Sequence, residues 1–418
     1  MVNPAADRSS KQTLVSDFSG LAVIRSGSPT RTSSRWPGGS KRRCGQSWQS
    51  QNVQIEGLGS YVPKKTVSVS DSVQMAVDRR GPEIDEARLA RLLRKLYKNL
   101  GSVSRQWSED PVTDRPVNWL IEAFSQALDS ASWQRTDVDV IIHTGIVRGV
   151  IEPSAAAVYS NLLGTFRAQG AQLADALIKT GSAKKVALIS TISSNCPYLT
   201  ESYKITSWDQ IGYKVAGMTV GSAASVTLIG GGHEQDWGLK VTRIHDSSQV
   251  ALCMINEPST TRHLGLDSVV PQEIKDDYLS DGSTDAQFYS LGSELFALQL
   301  GWFGDVVRQA LAGETEADVG EVVMTHSAME RQYADILKDI GIEDRHFNIH
   351  AKNGNLADNT APVALKQAIE EGRVKGGMRV SYLGQASGAS TALASFTASD
   401  KLVAKLGSAQ NRPELATS

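Results

Sequence analysis

The chain has 418 residues, 40% of them hydrophobic and 21% charged, enough to bury a core larger than one ordinary domain needs. A formal charge of -2 gives no basic field, which argues against nucleic acid as a partner, and no apolar run approaches the ~20 residues that span a bilayer. Cys44, Cys196 and Cys253 are odd in number, widely scattered and without CxxC spacing; this pattern indicates reduced thiols in a cytoplasmic protein, with neither a disulfide framework nor a metal site.

Residues 1–50 differ from everything that follows. Arg8, Lys11, Arg25, Arg31, Arg35, Lys41, Arg42 and Arg43 face only Asp7 and Asp17, and 26–50 are Ser, Arg, Gly and Pro with almost no periodicity. Such a stretch cannot bury enough apolar surface to offset its ordering entropy, so it is expected to be disordered. The same composition suits an organelle transit peptide or translation from an upstream start codon; disorder without function is the preferred reading.

Order begins at Val53, where a strand leads into Gly57-Leu58-Gly59 and Val62-Pro63. The third glycine of a dinucleotide loop is missing and Pro63 stands where a helix should open, so a nicotinamide site is not expected. Leu89, Leu92, Leu93, Leu96 and Leu100 form one stripe of a helix over 83–100, a second helix covers 117–131, and 138–143 is a buried strand ending at His143, read as a structural histidine. Pro153 opens a helix that ends at Leu162-Leu163-Gly164. After the strand at 186–190 comes Cys196, and Gly217 to Val226 reads as a strand whose small residues let backbones approach closely; Gly230-Gly231-Gly232 reads as a turn. Cys253, in an apolar run, is expected to be buried and inert.

From Leu239 the strand and helix pattern restarts, which suggests an internal duplication without a visible repeat. A helix over 291–311 precedes the short strand Val322-Val323-Met324-Thr325, which stops at His326; 329–340 then has helical spacing. Phe347-Asn348-Ile349-His350 leads to the turn Asn353-Gly354-Asn355 and an alanine-rich helix from about Pro362. Open α/β sheets bind ligands beyond the carboxyl ends of their strands, so His326 and Asn355 are the candidate pair. Asp358 and Asn359 beside them read as loop caps as readily as substitutes. A last strand is expected at 378–383, with a small-residue turn at 384–390 and a frayed tail after Lys405.

Four stretches in this order, Ile55-Glu56-Gly57-Leu58-Gly59-Ser60-Tyr61-Val62-Pro63, His326 after its strand, Asn353-Gly354-Asn355 with Pro362 beyond, and Gly384 with Gly388, resemble the 3-oxoacyl-[acyl-carrier-protein] synthases of the third, chain-initiating type. These beta-ketoacyl-ACP synthase III enzymes are thiolase-fold condensing enzymes, and the likeness runs from about Val53 to Thr397. It implies a thiolase-like α/β fold of two duplicated halves, 51–235 and 236–405, in a five-layered α/β/α/β/α arrangement, and a homodimer. It further implies an acyltransferase that condenses an acyl thioester with a malonyl thioester in fatty acid or related biosynthesis. Acyl-CoA and malonyl-ACP or malonyl-CoA would be the substrates, acyl carrier protein the partner, and no cofactor or metal would be bound. His326 and Asn355 are the implied catalytic pair, which binds the thioester carbonyl and assists decarboxylation, and the backbone of Gly384 and Gly388 would approach the acyl group.

The family's acylated cysteine has no counterpart. In the family a buried strand follows the Leu-Gly ending, and a tight turn then presents cysteine at the tip of a long helix, where the helix amino terminus lowers the thiol's pKa. Here residues 165–171 are all that separate Gly164 from Gln172-Leu173-Ala174, too few for a strand of ~5 residues, a turn and a first helical turn. Cys196 lies one element too late and is a weak candidate for the nucleophile. The chain is then a non-catalytic thiolase-fold relative acting as a binding or heterodimer subunit, a decarboxylase of malonyl thioesters, or the product of a gene sequence that has lost a segment; the foreign first fifty residues favour the last. Losing a central strand also leads us to expect marginal stability.

Overall fold

A computed structural model describes residues 51–110, 114–144, 174–245, 287–326, 329–386 and 390–409, with shorter pieces between 159 and 170 and between 253 and 274. The strands of the first half are β1 Val53–Tyr61, β2 Lys65–Ser68, β3 Ser104–Trp107, β4 Val140–His143, β5 Gln169–Gly170, β6 Lys185–Ile192 and β7 Ala223–Gly231. Those of the second are β8 Lys240–His245, β9 Cys253–Asn256, β10 Gln287–Ser290, β11 Val322–Thr325, β12 His346–Phe347, β13 Arg379–Ala386 and β14 Ser390–Thr397. The helices are α1 Val69–Asp78, α2 Glu86–Leu100, α3 Pro116–Ala131, α4 Ala174–Lys179, α5 Pro197–Thr200, α6 Ile211–Met218, α7 Gly292–Leu311, α8 Glu330–Ile340, α9 His350–Asn353, α10 Thr360–Glu370 and α11 Asp400–Ala409.

Two five-stranded sheets repeat one another strand for strand. The first has the order β1-β7-β6-β4-β5 and the second β8-β14-β13-β11-β12. In each, the first two pairings are antiparallel and the last two parallel. The correspondence extends to single hydrogen bonds. Asp139 N–H donates to the Lys185 carbonyl (2.9 Å) and Glu321 N–H to that of Arg379 (2.8 Å); five residues on, Thr144 N–H donates to Ile189 (3.0 Å) and His326 N–H to Leu383 (2.9 Å). Asp139-Val-Ile-Ile-His-Thr144 and Glu321-Val-Val-Met-Thr-His326 are therefore equivalent segments, and Thr144 is the first half's counterpart of His326.

The layers follow from alternation along the strands. Val140 and Ile142 of β4, Val322 and Met324 of β11, and Val380 of β13 point into a core shared with Val363, Ala364, Leu365, Ala368 and Ile369 of α10 and with Ala174 and Ile178 of α4. Ile141, Ala187 and Val226 face the other way, onto Trp119, Ala123, Phe124 and Ala127 of α3. Val323, Leu383 and Leu393 pack outward on Phe303 and Val306 of α7 and on Tyr333 and Leu337 of α8. Helix, sheet, helices, sheet, helices is the five-layered α/β/α/β/α order expected.

Local chemistry sets the ends of the elements. Asp85 accepts from Arg88 N–H to start α2, and Gly101 ends it in the left-handed region at φ 73°, a conformation that favours glycine. Gly57 and Gly59 lie where α3 crosses β1: a Cβ on either would collide with the carbonyl of Ala127 or Ala123. The Gly-x-Gly is thus a helix-packing site.

Several expectations are corrected. The capping box of Ser68 and Asp71 starts α1, which was not anticipated although Ser-x-x-Asp is its signature. Gly217 and Met218 end α6, and the strand begins only at Ala223, because Gly221 is held against the Asn353 carbonyl. Gly230 and Gly231 belong to β7, leaving Gly232 (φ 89°) as the turn. The helix expected from Pro362 opens at Thr360, β13 runs on through Gly384 to Ala386 and is followed by β14 as the last strand, and α11 carries order past Lys405 to Ala409. Of the strand of ~5 residues, turn and first helical turn for which 165–171 was expected to be too short, the described residues hold the two-residue β5, which pairs with Val140 and Ile141 at the sheet edge. Residues 1–50, the helix opening at Pro153 and the Gly388 turn lie outside the described residues.

Candidate active site

β11 is a run of β-branched and apolar residues buried on both faces, and it delivers His326 to its carboxyl end. There the ring, half-buried, forms a hydrogen bond through Nδ1 with the Tyr382 hydroxyl at 2.9 Å. Tyr382 is in place because β13 pairs with β11 in a register that sets it beside Met324. Burial lowers the pKa of His326 to about 4, so the imidazole is neutral near pH 7. Burial, and then the charge of Asp358, hold the Tyr382 hydroxyl well above its usual range; it stays protonated.

A cavity of about 350 Å³ opens beside this pair, lined by His326, Tyr382 and Gly384, by Asp358 from the turn before α10, by Gln385, and by Thr144 from the first half. Asp358 keeps access to solvent through the cavity, yet the protein around it raises its carboxyl to about 6. Both polar atoms of the Gln385 amide are buried without a protein partner. Apolar groups, one neutral imidazole and one easily protonated acid make a site suited to hydrogen bonding an uncharged carbonyl.

Asn355 lies at the edge of this arrangement. Its N–H donates to the Thr219 carbonyl (2.9 Å) and its carbonyl accepts from Gly221 (3.0 Å), forming a bridge to Val220 between the halves. Its side-chain oxygen accepts the Ala357 N–H at 2.9 Å, which fixes the amide's orientation and directs the NH2 away from that turn. Asn355 does not itself line the cavity, whose wall begins two residues later at Ala357. His350, fully buried, forms a hydrogen bond through Nε2 with the Ser102 hydroxyl at 2.8 Å; burial, followed by repulsion from His326, lowers it to about 4.

The remaining candidates separate. Gly384 shares the cavity with His326. Cys196 precedes α5 and packs half-buried on Ile192, Leu199 and Val220, in a cluster that also holds Ala357; burial raises its thiol pKa, the wrong direction for a nucleophile. Burial pushes the half-exposed Cys253 up to about 11. His143 ends β4 with its ring 5.1 Å from that of Tyr159. Sequence reasoning missed Thr144, Tyr382 and Gln385 and set Asp358 aside. The first was legible only as the mirror of His326, and Tyr382 looked like any strand residue. Among the described residues, no cluster of three or more His, Cys, Asp or Glu could hold a metal ion, and no helix is long and apolar enough to cross a membrane.

The family model for the C-terminal part of 3-oxoacyl-[acyl-carrier-protein (ACP)] synthase III matches residues 310–397, which include His326, Asn355 and Gly384. The beta-ketoacyl-[acyl-carrier-protein] synthase III of Listeria innocua is 22% identical over 358 residues, covering 81% of this chain and 96% of its own length. Among solved structures, the priming beta-ketosynthase of the R1128 polyketide pathway has a TM-score of 0.65 at 16% identity, over 86% of this chain and 99% of its own. The 3-oxoacyl-(acyl carrier protein) synthase III of Pseudomonas aeruginosa has 0.62 at 17%, over 83% and 98%. At these identities the structural likeness establishes the fold.

Proposed function

We propose that this chain, which belongs to the 3-oxoacyl-ACP synthase III-like family of thiolase-fold condensing enzymes, is an acyltransferase that condenses an acyl thioester with a malonyl thioester. The observation that carries this reading is His326, neutral, at the end of a buried strand, with Nδ1 paired to Tyr382 above a cavity of substrate size. In this reading the Tyr382 hydroxyl donates to Nδ1 and the ring proton sits on Nε2. As the malonyl group loses carbon dioxide, charge builds on the thioester oxygen. The Nε2–H and the amide NH2 of Asn355 are the donors for that enolate, and donors of this kind act because the charge appears only in the transition state. The enolate carbon then attacks the acyl carbonyl. Acyl-CoA as acyl donor, acyl carrier protein as carrier, a homodimer and the absence of a resident cofactor belong to the same reading.

The acyl acceptor is the open element. Residues 165–179, where the family's nucleophile belongs, contain no cysteine. That absence favours a second reading, a non-catalytic thiolase-fold relative. Intact-protein mass after incubation with acyl-CoA, repeated with Cys196→Ser, and carbon dioxide release from malonyl-CoA separate the cases. An adduct lost in the variant assigns the nucleophile to Cys196. Carbon dioxide release without an adduct leaves the decarboxylating half alone, and neither signal in a folded protein supports the second reading.

A further inference from the structure

Asp358 is a carboxyl without a partner. It stands in the short helical turn Ala357–Asn359 that leads into α10, yet it caps nothing: the capping position of α10 is Asn359, which makes no side-chain cap hydrogen bond. Asn359 is fully buried and accepts the Ser225 hydroxyl at 2.7 Å. Among the described residues no hydrogen bond or ion pair engages the Asp358 carboxyl. The backbone is bent to put it there. Ala357 sits in the left-handed region at φ 48°, which costs a non-glycine residue about 1–2 kcal/mol, and the Asn355 side-chain oxygen holds the Ala357 N–H at 2.9 Å. Strain of this kind persists only where the surrounding structure enforces it, and it clusters at functional sites. The carboxyl opens to the cavity that His326, Tyr382, Thr144 and Ser390 also line, and solvent reaches it there. His326 and Tyr382 are the titratable side chains that share this cavity with it, and both are uncharged near pH 7. A carboxyl held at about 6 is ionised at pH 7 and still basic enough to accept a proton from water, because the most effective general base has a pKa near the working pH.

We propose that the chain hydrolyses acyl thioesters directly, with Asp358 as general base, His326 as oxyanion donor and no acyl-enzyme. This activity goes beyond condensation and rests on the function proposed above only for the thioester as substrate and for the donor role of His326. The Asp358 carboxylate takes a proton from water as the water oxygen bonds to the thioester carbonyl carbon. The π electrons of the carbonyl move onto its oxygen, where the His326 Nε2–H donates to the developing charge. When the carbonyl re-forms, the C–S bond breaks and the leaving thiolate takes the proton that Asp358 holds. One water is consumed, a carboxylic acid and a thiol leave, and the carboxylate is restored. Water stands where a cysteine would attack, so the lack of a cysteine in residues 165–179 is no obstacle to this reaction.

The test follows thiol release from butyryl-N-acetylcysteamine, an uncharged thioester, by the full chain and by Asp358→Asn and Asp358→Ala. The wild type is expected to release thiol and butyrate in equal amounts with no acyl adduct in its intact mass. Asp358→Asn should lower turnover by about 10²–10⁴ with little change in KM. Formate, a small carboxylate, should restore turnover to Asp358→Ala, which a purely structural role does not allow. Thiol release that survives in Asp358→Asn, that fails to return to Asp358→Ala in formate, or that proceeds through an acyl adduct overturns the assignment. Carbon dioxide release from malonyl-CoA without thiol release above the rate in buffer overturns hydrolysis and leaves the condensing reading in place. Thiol release of the expected kind without carbon dioxide release upholds hydrolysis and overturns the condensing reading alone.

Discussion

The Tyr382 hydroxyl lies 2.9 Å from Nδ1 of His326, with the two rings nearly perpendicular at 86° and their centroids 6.5 Å apart. Two residues 56 positions apart are joined because β11 and β13 are neighbours. The bond couples the orientation of the hydroxyl to the choice of imidazole nitrogen that carries the proton. Tyr382→Phe keeps the ring and removes the bond, whose loss of about 1–1.5 kcal/mol corresponds to roughly tenfold in rate. We expect carbon dioxide release from malonyl-CoA to fall by about that factor in turnover with little change in KM; an unchanged turnover would remove Tyr382 from the mechanism.

Asn355 and His326 are the proposed oxyanion donors, and removal of one such donor typically lowers turnover by about 10²–10³. Asn355→Ala should show that loss in malonyl decarboxylation. Its backbone bridge to Thr219 and Gly221 does not depend on the side chain, so the melting temperature should drop by only a few degrees. Loss of stability without loss of decarboxylation would assign Asn355 a structural role only.

Three histidines with lowered pKa values make the fold sensitive to acid. His326, His346 and His350 are each held at about 4 in the folded chain, with burial as the first cause, against 6.5 when unfolded. Between those values the unfolded chain binds more protons. Stability is therefore full above pH 6.5 and falls as the pH drops towards 4. For the fully buried His350 the loss is about 3 kcal/mol. Urea titrations from pH 7 to 4.5 should show the midpoint falling steeply, and His350→Gln should flatten that slope.

Asp358 carries the opposite sign. Although it is open to solvent through the cavity, the protein around it raises its carboxyl to about 6, above the unfolded 3.8, so the folded chain binds the extra proton. Its contribution is favourable below pH 4 and is lost as the pH rises through 6. Asp358→Asn is expected to raise the melting temperature at pH 8 and leave it nearly unchanged at pH 4; equal shifts at both would mean that the carboxyl titrates normally.

Gly59→Ala should destabilise by roughly 1–3 kcal/mol, because the added Cβ meets the Ala123 carbonyl of α3 and neither backbone can yield without moving a helix or a strand. Chemical denaturation measures this directly. A neutral result would show that α3 can slide on β1.

Much of this protein was decided by its sequence alone, wherever neighbours along the chain settle the outcome. The stripe of α2, the helical run after Pro116, the halt of β11 at His326 and the Asn353-Gly354-Asn355 turn rest on contacts a few residues apart and were read at that range, whereas the caps of α2 at Asp85 and Gly101 were not. The motifs shared with condensing enzymes, strung in order, supplied the fold class and the pair His326 and Asn355. Only the tertiary structure could decide the rest. The two-residue edge strands β5 and β12 have no pattern of their own and exist because a neighbouring strand offers hydrogen bonds. The duplication of Asp139–Thr144 in Glu321–His326 is hidden at the level of residue identity and emerges from equivalent backbone bonds. Tyr382, Asp358, Gln385 and Thr144 meet His326 through strand register and loop closure across the chain. Those are long-range pairings, fixed by which buried face each strand must present, and local propensity carries no record of them.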